Sequence, residues 1–188
     1  MGLFEPHGRG RRPLRPDALN VNDGPTDATP SPSPRLPGKG RGEGQPPDAV
    51  VVVHTLAHAV GALQAAARFD QPLILASAPN AGIYAGPGWF GALVTAAREA
   101  VPRARFSALL DCGDRPGAVL AAIRAQTEAV IFTGGSDVAG RLADIASQHG
   151  VRLVIERPAA GFDLGEDFFA SEATSARRCA NFLAAPDA

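Results

Sequence analysis

Asp111, Cys112 and Gly113 follow directly on the mostly apolar run Phe106–Leu110. An acid and a thiol at the end of such a run are a proton acceptor and a soft metal ligand. In a parallel α/β protein the carboxyl ends of strands are where reactive side chains collect. Asp111 is therefore a candidate catalytic acid–base group, and Cys112, as a thiolate, a candidate zinc ligand. The competing reading is structural: Asp111 caps a turn and Cys112 packs as a small apolar residue. Glu156 closes another predicted strand, Val151–Glu156, apolar but for Arg152 before it. It is a second candidate metal ligand at the same mouth, set against a surface acid paired with a neighbouring arginine.

Ala129–Phe132 is a further apolar run, leading into Thr133-Gly134-Gly135-Ser136. Gly134, Gly135 and Ser136 precede a helical pattern, so their backbone N–H groups are candidates for holding a phosphate. Asp137, next in line, opposes an anion there. His54 and His58 are four apart, a spacing that could share a metal on one helix, but His54 falls at a strand end. His149, at a helix C-terminus, reads as a surface cation favoured by the dipole. Tyr84-Ala85-Gly86-Pro87-Gly88-Trp89-Phe90 reads as an aromatic loop that either covers a pocket at the strand ends or closes the core.

These residues need a scaffold, and the hydrophobic pattern supplies one from Asp48 onward. Strands are predicted at 49–56, 72–78, 105–111, 128–133 and 151–156. Helices are predicted at 57–69, 88–100, 116–125, 136–149 and 171–183, with Pro116 suited to a first turn, Ser136 or Asp137 as an N-cap and Gly150 as a stop. Strict alternation implies parallel strands with right-handed crossovers. Five strands fall short of a closed barrel of eight. The expected fold is α/β with parallel βα repeats, a partial TIM-barrel-like sheet. The alternative is a flavodoxin-like open parallel sheet.

Residues 1–47 differ in texture. They hold 10 of the 17 prolines and 8 of the 21 glycines, with almost no apolar clusters. Such a segment cannot offset its ordering entropy by burial, so a disordered tail is expected before an α/β domain at 48–188. Its arginines lack interleaved aromatics beyond Phe4, which argues against an RNA-binding role. The net charge of −1 gives no field that would recruit nucleic acid or a membrane. No apolar run reaches the length of a membrane span. Two cysteines, Cys112 and Cys179, make no disulfide framework and suit a reducing, cytoplasmic setting.

Residues 50–157 resemble the first five βα units of the class II, zinc-dependent fructose-bisphosphate aldolases. The resemblance rests on Ala66-Ala67 before Pro72-Leu73-Ile74-Leu75, then Tyr84-Ala85-Gly86, Leu110-Asp111 with Gly113, Val130-Ile131 with Gly134, and Gly150-Val151 with Glu156. It implies a zinc-dependent aldehyde-lyase of carbohydrate metabolism, with Asp111 assisting proton transfer. The departures fall on the chemistry. Cys112 stands where that family has a zinc-binding histidine, Thr133 where it has an acid, and Val154 where it has the first of two glutamates. Ala78 replaces a usual serine, with Ser77 one position early, and Val52 replaces an asparagine. The family's other zinc histidines and phosphate loops belong to strands six to eight, which this sequence does not carry. The zinc ligand set is thus incomplete. The expectation is a truncated, divergent relative without aldol cleavage that binds a small phosphorylated metabolite. The rival is a non-catalytic binding or regulatory module. An open flank on the fifth strand also predicts a homo-oligomer or a partner chain, unless residues 162–183 fold back over it.

Overall fold

The structure is a computed structural model that describes residues 49–158 and 161–185; the expected 1–47 tail lies outside the described residues. Six parallel strands form one open sheet: β1 (Ala49–Val53), β2 (Leu73–Ser77), β3 (Phe106–Asp111), β4 (Ala129–Ile131), β5 (Arg152–Val154) and β6 (Phe162–Asp163). Their order across the sheet is β5-β4-β3-β2-β1-β6. The first five strands therefore lie beside one another in chain order, as in a partial barrel. The flavodoxin-like strand order fails on this point, because it would place β1 between β2 and β3 and put helices on both faces, whereas here β2 pairs directly with β3. A sequential parallel sheet with right-handed crossovers sends each helix to the same side.

The packing agrees. Val51, Val53, Leu73, Leu75 and Phe106 are buried with α1 (Leu56–Phe69) and α3 (Gly86–Ala100). Ala108, Leu110, Val130 and Phe132 are buried with α2 (Ala81–Tyr84), α4 (Pro116–Arg124) and α5 (Ser136–Gln148). The alternate strand residues, Val50, Ala76, Leu109, Ala129 and Ile131, form a separate buried cluster with Val52, Ile74 and Val154 at its margin. Period-two alternation thus divides each strand between a helix-covered face and a second face built, among the described residues, from strand side chains.

The helices begin and end where local chemistry directs. The Thr55 hydroxyl accepts from His58 N–H at the start of α1, and Ser171 does the same for Thr174 at the start of α6 (Glu172–Ala184). The expected aromatic loop is mostly helical instead, because Asn80 in the left-handed region opens α2 and Pro87 sits in the first turn of α3. The N-cap of α5 is Gly135 rather than Ser136 or Asp137.

Two outcomes differ from expectation downstream of Pro158. A sixth strand, β6, pairs Phe162 with Val51 and Asp163 with Val52. The chain after β5 therefore crosses to the β1 edge and does not cover the flank of β5. Helix α6 then lies along α1, with Phe162 stacked on Phe182 at 5.1 Å. Gly61 makes this crossing close: a Cβ there would stand 2.5 Å from Ser175 Cβ and 2.7 Å from Ala176 N. No helix among the described residues is long and apolar enough to cross a membrane.

Candidate functional site

Asp111 is the last residue of β3 and is 2 % exposed. Its partner across β4 is Ile131, so it belongs to the strand-only face of the sheet. Burying a carboxylate requires its lone pairs to be met. Here Oδ1 accepts from Asn80 N–H at 3.0 Å and Gly113 N–H at 2.8 Å. Arg157 supplies the counter-charge in a fork: Nε reaches Oδ2 at 2.5 Å and Nη2 reaches Oδ1 at 3.2 Å. Ser77 steadies the strand end from below, its hydroxyl accepting from Asp111 N–H at 2.9 Å. Gly113 has φ +55, and a Cβ there would stand 2.1 Å from Asn80 Oδ1, so this turn requires glycine.

Arg157 was not singled out by sequence reasoning. β5 ends at Val154, where the Val154 carbonyl accepts from Phe132 N–H, and Ile155, Glu156 and Arg157 then leave the sheet. The turn brings Arg157 back over Asp111, with the side chain 44 % exposed. The hydrogen bond to Asp111 holds its guanidinium pKa above the usual value. Glu156, predicted to face the same mouth, is exposed.

Cys112 is fully buried on the opposite, helix-covered face, beside Gly82. Burial first, and the nearby Asp111 charge second, push its thiol up to about 12. A thiol held protonated behind the sheet, an exposed Glu156 and an Asp111 already bound by Arg157 do not fit a zinc site. No group of three or more His, Cys, Asp or Glu side chains among the described residues could hold a metal ion. Cys179, buried against α1, is likewise pushed up to about 12 by burial.

The glycine turn after β4 lies beside the Asp111 turn, since Thr133 N–H donates to the Gly113 carbonyl at 2.8 Å. Gly134 is packed under Phe132, whose ring would lie 2.3 Å from an added Cβ. Gly135 and Ser136 open α5, with Asp137 in its first turn. Tyr84 is 68 % exposed at the same mouth, its pKa raised by burial of part of the ring and by the Asp111 charge. Phe90, six residues on, is buried in the core. The core-closing reading of the aromatic segment therefore holds for Phe90.

His54 and His58 do not face a common ligand. His54 Nε2 lies 2.7 Å from Asp163 Oδ1, and His58 Nε2 lies 3.1 Å from the Asp167 carbonyl. Burial lowers the His58 pKa.

No family model matches the chain, and no curated protein matches it. Among solved structures, a protein of Coccidioides immitis provisionally assigned as a fructose-1,6-bisphosphate aldolase is similar to it, with a TM-score of 0.48 and 16 % identity. The similarity covers 56 % of this chain and 44 % of that one. The chain thus matches less than half the length of that protein.

Proposed function

We propose that this chain binds a small phosphorylated metabolite at the carboxyl ends of β3, β4 and β5 and does not cleave it. The observation that carries this reading is the Asp111–Arg157 fork. A general base needs a lone pair within reach of the substrate proton. Both Asp111 oxygens are occupied, by a guanidinium and by two backbone N–H groups. What faces solvent at the mouth is a guanidinium held in a fixed orientation, suited to recognising a planar or tetrahedral anion. The adjoining Gly134–Ser136 turn adds backbone donors at the start of α5. The resemblance of the strand ends to class II aldolases supports a phosphorylated sugar-like ligand, and Cys112, Thr133 and Val154 stand where that family's chemistry would need other residues.

The test is an aldol-cleavage assay with purified chain, fructose 1,6-bisphosphate and added zinc. The expected result is no turnover. Zinc-dependent cleavage lost on Asp111→Ala would overturn the reading.

A further inference from the structure

Helix α6 carries two successive arginines with different surroundings. Arg178 is engaged by two carboxylates, its Nη2 lying 3.6 Å from Glu166 Oε2 and its Nη1 3.5 Å from Asp167 Oδ2. Arg177 is exposed and has no carboxylate partner among the described residues. Arg68, in the last turn of α1, is in the same position. It is exposed, its guanidinium carbon lies 6.0 Å from the centre of the Phe69 ring, and no acid meets it among the described residues.

The packing of the two helices brings these two arginines to one place. α1 and α6 follow the adjacent parallel strands β1 and β6, so they run in the same direction. Their starts are tied where His58 Nε2 meets the Asp167 carbonyl at 3.1 Å, and Gly61 lies against Ser175 and Ala176. One turn further along, this register sets Gln64 across from Arg177 and Arg68 across from Asn181. These four residues wall a groove of about 330 Å³, with Ala65, Ala176 and Ala180 between them. Each wall carries one amide and one guanidinium at i, i+4 spacing, neighbours on one helix face about 6 Å apart. No Asp or Glu lines the groove, and Asp70, at the end of α1, is held by Arg105 at 3.0 Å.

A guanidinium is charged at any ordinary pH, only donates hydrogen bonds, and matches the plane of a carboxylate with two parallel N–H groups. Because the two cations stand on opposite walls and at successive turns, two separated negative charges meet them better than one. The alanine floor offers methyl surface to a short aliphatic chain joining those charges. We propose that the α1–α6 groove binds a small aliphatic dicarboxylate, with one carboxylate on Arg68, the other on Arg177, and the Gln64 and Asn181 amides as further donors. The site stands apart from Asp111 and Arg157, neither of which lines the groove.

The full chain is titrated by calorimetry with glutarate at neutral pH and low salt, where exposed charges are least screened. Butyrate, which has a single carboxylate, and inorganic phosphate, a compact anion, are titrated separately. Saturable one-site binding of glutarate is expected, with butyrate and phosphate each at least about tenfold weaker for want of a second charge-assisted contact. Arg68→Gln and Arg177→Gln are each expected to lower glutarate affinity about tenfold. Arg141→Gln removes the same charge from an exposed position on α5 and is expected to leave glutarate binding unchanged. No saturable binding of glutarate, equal affinity for glutarate and either control anion, or an equal loss in Arg141→Gln and the groove variants overturns the proposal. The wild-type comparison of the three anions decides even if a variant fails to fold.

Discussion

Two carboxylates end separate strands of the same sheet, β3 and β6, and their surroundings give them opposite characters. Asp111 is 2 % exposed and fully engaged; Asp163 is 50 % exposed and holds one imidazole. The first is met by an arginine, which stays charged at any ordinary pH, so the pair is a fixed structural element. The second is met by a histidine, His54 Nε2 lying 2.7 Å from its Oδ1. Burial and the identity of the partner, rather than the presence of an acid at a strand end, decide which site can exchange a proton or hydrogen bond with a ligand.

The comparison predicts unequal costs when each pair is broken. Arg157→Ala leaves a buried carboxylate with two N–H donors and no counter-charge. The cost of such a change in a fully buried pair is roughly 3–5 kcal/mol; the half-exposed guanidinium admits water, so about 2 kcal/mol is expected by urea denaturation. Gly61→Ala tests the other end indirectly. It forces α6 away from α1 at backbone contacts of 2.7 Å, with an expected loss of about 2 kcal/mol. His54→Ala, breaking a partly exposed pair, is expected to cost about 0.5–1 kcal/mol.

Cysteine chemistry sharpens the contrast at Asp111. With both thiols raised to about 12, neither Cys112 nor Cys179 should react with a disulfide reagent in the native chain at neutral pH, and both should react on unfolding. The sign of the linkage follows. The folded thiol holds its proton more tightly than the unfolded one, with its ordinary value of 9.0. This contribution to stability is complete below pH 9 and is lost as the pH rises towards 12. A thermal melting temperature falling through that interval, and less so in Cys112→Ala, is the expected result. The smallest effect belongs to Ser175, whose hydroxyl is buried at the α1–α6 contact without a hydrogen bond. Ser175→Ala should be neutral or stabilising by up to about 1 kcal/mol.

Most of the scaffold was legible because it is written locally. Valine-rich β1 and the Phe106–Leu110 run, apolar but for Ser107, are what strands covered on both faces look like. β6 was not legible: two residues, Phe162 and Asp163, form a strand only because β1 offers an open edge more than a hundred positions earlier. The same distance hid the His54–Asp163 pair and left His54 to be compared with His58 alone. At the Asp111 mouth, alternation already places Cys112 on the opposite face from Asp111, a signal available in the sequence. Glu156 was expected at the same mouth as the end of strand five. That expectation failed because β5 stops at Val154 and the following turn delivers Arg157 instead. Strand ends are where period-two counting loses its physical basis.

The central claim is that Arg157, pinned by Asp111, recognises a phosphorylated ligand. It is tested most directly by calorimetric titration of fructose 1,6-bisphosphate into the wild-type chain and into Arg157→Gln, which keeps a hydrogen-bond donor for Asp111 but removes the charge. The account predicts saturable one-site binding to the wild type and an affinity at least about tenfold lower in the variant, corresponding to one charge-assisted hydrogen bond. Equal binding by both chains, or none by the wild type, would contradict it.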